Sequence, residues 1–236
     1  MKAHTTWKVL PHGPVEKLAE NLWRVEGSLE GMPLRRVMTL VKRSDGGVLV
    51  HNAIALADDA MREIDAWGSV RWLVVPNGYH RLDARVFKDR YPEARVLCPA
   101  GSRAKVEEVV PIDLTYDDFV PDQAVHIVTL DGVAKQEGAL LVRSPDGVTI
   151  VLNDAVFNLP HGKGFTGFIF RHVTQSSGGP RVSRVTRWFV VKDRKAFRAH
   201  LERLAETPDL RRVIVSHQDV IDVNPGGALR KAAATV

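Results

Sequence analysis

Apolar positions along this chain follow two periods, and the switches between them mark out its elements. Short apolar runs of strand length stand at 22–26, 36–42 and 48–51. A helical spacing follows over 56–67, where Ala60, Met61, Ile64 and Trp67 share one face and Gly68 stands just past the end. A buried strand is predicted at 70–75. A second helix is predicted at 82–91, with Leu82, Val86, Phe87 and Tyr91 in phase and Pro92 as its stop. Another strand follows at 95–98. Strand, helix and strand in this order make a βαβ unit with parallel neighbours.

The second half repeats the plan. A short helix is predicted at 100–109 and strands at 112–116, 125–130, 139–142 and 149–152. The glycines and polar residues of 159–180 predict a long, partly ordered loop, and 187–192 reads as a strand. Asp193 suits the cap of a helix reaching Glu206, with Ala196, Phe197, Leu201 and Leu204 on its apolar face. The last core strand is predicted at 212–215, and residues 221–236 read as a frayed tail.

Two hairpins echo one another. Ser44-Asp45-Gly46-Gly47 turns into Val48-Leu49-Val50-His51-Asn52, and Ser144-Pro145-Asp146-Gly147 turns into Val148-Thr149-Ile150-Val151-Leu152-Asn153-Asp154. Asp-Gly suits the positive φ angles of tight hairpins. Each hairpin is followed, after a helical stretch, by a strand ending in polar residues: Asn77-Gly78-Tyr79-His80 in one half, Ser216-His217-Gln218-Asp219 in the other. Open sheets bind ligands at such strand ends. Two hairpin-based sheets packed face to face with helices outside predict a four-layer αββα sandwich of two mixed sheets. It is read as one domain over 1–236 with its core at about 22–220.

Composition narrows the class. Of 236 residues 44% are hydrophobic and 26% charged, the balance of a globular protein. No apolar run approaches the roughly 20 residues needed to span a bilayer, and no membrane is expected as a partner. Residues 1–14 lack a signal-peptide apolar core, so the cytoplasm is the expected location. The single cysteine, Cys98, excludes an internal disulfide and a zinc site built from cysteine pairs. It reads as a packed thiol in a short strand. The net charge of +5 is uneven, with twelve Lys and Arg against four Asp and Glu between Lys163 and Arg212. That surplus suits an anionic substrate or partner, or a solvated face. No nucleic-acid-binding module is present, so nucleic acid is not expected to bind.

The strand-end residues resemble those of the metallo-β-lactamase superfamily over about 22–220. In that superfamily His-x-His-x-Asp-His, a Gly-His pair, an aspartate after the second hairpin and a final histidine hold one or two metals that activate water. Here Asp154 matches the aspartate and His217 the final histidine. The first motif reads Asn77-Gly78-Tyr79-His80-Arg81-Leu82, with one imidazole out of register, and the Gly-His position reads Gly132-Val133. The Pro76-Asn77-x-x-His80 wording resembles a divergent branch of the superfamily with a similarly eroded motif. A hydrolytic zinc site needs three protein ligands and an open position for water. The resemblance therefore implies a reduced, one-metal site of His80, Asp154 and His217 holding zinc, manganese or iron, or no metal at all. Asn77, Tyr79 and His172 are the expected substrate contacts, while His51 and His161 are spare imidazoles. Each ligand candidate also has an ordinary role open to it: His80 as a helix cap, Asp154 on turn amides, His217 as a structural group. The implied activities are a metal-dependent hydrolase of undefined substrate, or a non-catalytic binding or scaffold protein that lost the metal. In the second case the basic 163–212 region would contact an anionic partner.

Overall fold

The computed structural model describes residues 2–236. The first half runs β1 (Glu16–Ala19), β2 (Leu22–Leu29), β3 (Met32–Lys42), β4 (Val48–His51), α1 (Asp58–Trp67), β5 (Val70–Val74), α2 (Ala84–Arg90), β6 (Arg95–Cys98), α3 (Arg103–Glu107) and β7 (Leu114–Thr115). These strands form a seven-stranded sheet in sequential order, antiparallel from β1 to β4 and parallel from β4 to β7. The second half runs β8 (Val125–Thr129), β9 (Gly138–Ser144), β10 (Gly147–Leu152), β11 (Phe157–Leu159), α4 (Gly164–Phe168), β12 (Gly179–Arg181), α5 (Arg194–Ala205), β13 (Leu210–Ile214) and α6 (Pro225–Ala233). Its main sheet has the order β13-β10-β9-β8, and β11 pairs with β12 beside it.

Three apolar layers separate four structural layers. Met38, Leu40, Val50, Met61, Ile64 and Phe87 pack the first sheet against α1 and α2. Leu22, Val41, Leu49, Leu140, Val142 and Ile214 fill the space between the sheets. Ile150, Val213, Phe197, Leu201, Leu229 and Ala232 pack the second sheet against α5 and α6. Because both faces of each sheet are covered, strands such as β4 are buried throughout. The αββα sandwich read from the hairpin echo is the architecture observed.

Three local expectations are corrected. Residues 225–233, expected as part of a frayed tail, form α6, with Leu229, Ala232 and Ala233 buried. Asn224 caps that helix by accepting from the Gly227 amide, and Pro225 occupies its first turn. The segment 187–192 is not a strand. Residues Thr186–Val190 form a wide helical turn in which the Val191 amide reaches the Thr186 carbonyl at 2.9 Å. Its Trp188 and Phe189 are exposed, so the apolar run marks no core strand. The expected loop at 159–180 contains α4, continued by a π-type turn over Ile169–Val173.

Candidate metal centre at the strand ends

The parallel pairs β4–β5 and β10–β13 end at one rim, where Val74 pairs with His51 and Ile214 with Val151. Just beyond those ends stand Asn52, His80, Asp154 and His217. The middle of β3 is tied to the residues just past β13, since the Val37 amide donates to the Ser216 carbonyl at 2.9 Å. Asp83 pins the loop that carries His80: it takes a buried Arg36 guanidinium at 2.5 Å, the Ala55 amide at 3.1 Å and His4 at 2.7 Å.

The two imidazoles are held in a defined state. His217 Nδ1 lies 2.7 Å from the Arg35 carbonyl, which can only accept, so Nδ1 carries the proton. Asn52 donates its amide to the Val37 carbonyl at 2.8 Å, which turns its Oδ1 toward His80 Nδ1 at 3.2 Å. Both Nε2 atoms therefore face Asp154 Oδ1, at 3.1 Å for His80 and 3.3 Å for His217. Two nitrogens and a carboxylate this close require positive charge between them, as protons or as a cation. Burial opposes the charge on Asp154, but His80 and the hydrogen bond from His217 outweigh it and hold the carboxyl well below its usual range. Burial likewise opposes charge on His217, and Asp154 outweighs it, raising that imidazole above its ordinary value. Phe157 stacks on the His217 ring, with centroids 5.5 Å apart and planes at 13°.

Asn77 is the hub behind this triad. Its Oδ1 accepts from the Tyr79 and His80 amides at 2.8 and 2.9 Å, the arrangement of a capped turn. Its Nδ2 donates to Asp154 Oδ2 at 3.0 Å and to Glu137 Oε1 at 2.6 Å. Two acceptances and two donations use all of the hydrogen-bonding capacity of its side chain. Glu137 is buried, and desolvation followed by the Asp154 charge pushes its carboxyl well above the usual range. That shift favours its protonated form.

The donor set fits one divalent ion. The ligand atoms of His80, Asp154 and His217 all lie within 4.8 Å of one another. Tetrahedral bonds of about 2.0–2.1 Å would set neighbouring donors about 3.3 Å apart, close to the separations observed around Asp154. Hydrogen bonds from the opposite ring nitrogens to carbonyl oxygens are the usual support for metal-binding imidazoles. The triad also opens onto a cavity of about 700 Å³, lined mainly by apolar groups including Leu29, Met32, Leu34, Phe170 and Phe189. That opening leaves space for water and substrate.

Of the expected substrate contacts, Tyr79 lines the cavity and is exposed, whereas Asn77 is buried beneath it. His172 is not brought to the site; it lies exposed outside the lining, packed on Phe168 with ring centroids 4.8 Å apart. His51 is buried within β4, its imidazole pushed down to about 3 by burial and by the neighbouring His80. His161 contacts Ser177 Oγ at 3.1 Å. Glu137 and the role of Asn52 were missed. Asn52 sits at the hairpin end, which is a signal of position; Glu137 carried none, because a loop of irregular backbone places it.

The structure resembles solved metallo-β-lactamases over nearly its whole length. DIM-1 metallo-β-lactamase, from a crystal exposed to ceftazidime, is 14% identical with a TM-score of 0.64, covering 97% of this chain and 99% of that one. FIM-1 from Pseudomonas aeruginosa, in its mono-zinc form, is 11% identical with a TM-score of 0.63, covering 96% of each chain. A metallo-β-lactamase from Erythrobacter litoralis is 14% identical with a TM-score of 0.63, covering 97% of this chain and all of its own. No protein-family model matches the sequence, and none of the curated proteins is similar to it. The chain has the metallo-β-lactamase fold.

Proposed function

We propose that this chain is a hydrolase that holds one divalent ion on His80, Asp154 and His217 and acts on a mainly apolar substrate. The observation that supports it most is the pairing of two Nε2 lone pairs with one carboxylate oxygen at the floor of an open apolar cavity. A mono-zinc form of a protein with this fold is a precedent for a single ion. Such an ion supplies Lewis acidity and lowers the pKa of its water toward neutrality. A second ion is not part of the reading, because Asn52 and Asn77 commit their amides to hydrogen bonds around the triad.

The chain's own residues set the rest. Asn77 fixes the Asp154 carboxylate so that one oxygen faces both imidazoles. The apolar walls exclude bulk water, which strengthens electrostatic interactions at the reacting bond. Arg36 and Arg81 line the cavity but are paired with Asp83 and Glu108. Lys105 also lines it, over the Tyr79 ring at 5.0 Å, with no carboxylate partner among the described residues. Lys105 and Tyr79 are therefore assigned to a polar or anionic end of the substrate.

The test is elemental analysis of untagged protein, beside Asp154→Ala and His217→Ala. About one equivalent of zinc, manganese or iron, lost in both variants, supports the reading and directs a screen of long-chain esters and thioesters. No bound ion after reconstitution with excess zinc overturns it. The cavity would then belong to a non-catalytic binding protein, with the two imidazoles and Asp154 as a polar floor.

A further inference from the structure

Most of the large apolar side chains left exposed among the described residues are gathered at one place. Met32, Tyr79, Val185 and Phe189 are exposed and also line the cavity, so they form its mouth. Phe165, Phe168, Val173 and Trp188 are exposed on the same two segments that give Phe170, Thr174, Val185 and Phe189 to the lining. Those segments are joined: the Arg184 amide donates to the Thr174 carbonyl at 2.7 Å, and the Arg184 guanidinium covers the Trp188 ring at 5.4 Å. Phe165, Phe168 and His172 recur at helical spacing along α4 and the turn that continues it. Thr186 fixes the second segment to the site by donating to the Asp154 carbonyl at 2.9 Å. Singly exposed apolar residues are ordinary, but a contiguous patch marks an interaction surface.

The charge on this surface identifies the occupant. From Ala155 to Lys192 the chain contains no Asp or Glu, while Lys163, Arg171, Arg181, Arg184, Arg187 and Lys192 fall in that stretch. None of these six lines the cavity, so the positive charge of these segments lies outside its lining. Lys163 and Arg171 are exposed. Exposed Phe and Trp interleaved with Lys and Arg, free of carboxylates, suit the boundary between anionic headgroups and acyl chains. A folded protein partner would call for some acceptors in the patch. A nucleic-acid site would carry its cations along a groove or a recognition element.

We propose that this face docks on an anionic lipid bilayer, seating the cavity mouth at the headgroup level. No helix among the described residues is long and apolar enough to cross a membrane. Docking needs no such helix, so the absence of a spanning run does not bear on it. The inference does not depend on hydrolysis or on a bound ion.

The experiment is co-flotation of the full chain with vesicles of phosphatidylcholine, alone or with about a third phosphatidylglycerol, at low and physiological salt. Binding to the anionic vesicles is expected, with a blue shift of tryptophan emission that Trp188→Ser abolishes. Phe165→Ser/Phe168→Ser and Lys163→Glu/Arg171→Glu should each weaken binding at least tenfold, with thermal unfolding unchanged because these side chains are exposed. Absence of binding to anionic vesicles at low salt overturns the proposal, as does binding that neither double variant weakens. Two other outcomes also overturn it. One is tighter binding to a single-stranded oligonucleotide that only the charge variant loses. The other is a concentration-dependent dimer that the Phe variant dissolves, with no vesicle binding.

Discussion

At the scale of single residues, Asn77 is the hub on which the geometry of the candidate site depends. It joins the His80 backbone, the Asp154 carboxylate and the Glu137 carboxyl through one amide. Asn77→Ala leaves two buried acceptors and two turn amides without their partner. It should cost about 2–4 kcal/mol in urea unfolding. It should also weaken zinc binding roughly 10–100-fold, the usual consequence of removing a group that orients a ligand. Unchanged zinc affinity would show that Asp154 keeps its orientation without the amide. Glu137 gives a prediction of opposite sign. Its folded carboxyl titrates far above the ordinary value of 4.5, so the unfolded chain releases that proton first. Stability from this group is present below 4.5 and declines as pH rises toward the folded value. Glu137→Gln keeps the oxygen that accepts from Asn77 and removes the titration. The variant should therefore gain on the wild type by roughly 1 kcal/mol per pH unit above 4.5, and match it below. Urea unfolding at pH 4 and pH 7 checks both limits.

Elements were legible wherever one physical cause dominated. The paired Asp-Gly hairpins, the buried parallel strands and α5, capped by Asp193 accepting from the Ala196 amide, all follow from local chemistry. What failed were segments whose partners are distant in sequence. The Arg187–Val191 stretch has the apolar run of a strand, yet it serves a cavity mouth, and periodicity does not distinguish core from rim. The tail was misread for the opposite reason. The run from Ala228 to Val236 is rich in alanine, and its burial depends on the close approach of α5. At Gly226 an added Cβ would lie 2.8 Å from the Ala205 carbonyl oxygen. In the site, His80, Asp154 and His217 were legible because polar residues at strand ends converge, while Glu137 depends on the 131–137 loop. Leu229 is fully buried between α6, α5 and the second sheet, so Leu229→Ala should destabilise by about 2–5 kcal/mol. A loss below about 0.5 kcal/mol in denaturant unfolding would mean that α6 detaches without consequence for the core.

For the whole molecule, protons and the proposed divalent ion would compete for the same atoms, and the directions of the shifts fix the sign of that competition. Asp154 lies below its ordinary 3.8, so its contribution is present above 3.8 and lost as pH falls through the depressed folded value. His217 lies above its ordinary 6.5, so its contribution is complete below 6.5 and lost as pH rises through the raised folded value. Without an ion, the pair therefore stabilises most between 3.8 and 6.5. Above the raised folded value the His217 proton leaves, and its Nε2 lone pair faces the Asp154 carboxylate with no proton between them. A divalent ion relieves that arrangement on the alkaline side and must displace protons on the acid side. Zinc should accordingly raise the melting temperature strongly at pH 8 and hardly at pH 5. At a hundredfold excess over Kd the gain is about 2.7 kcal/mol. In a chain of this size that corresponds to a shift of roughly 5–10 °C. Asp154→Ala should remove the zinc-dependent shift at both pH values. An equal shift at pH 5 and pH 8 would show that zinc binds elsewhere, at groups that do not exchange a proton for the ion.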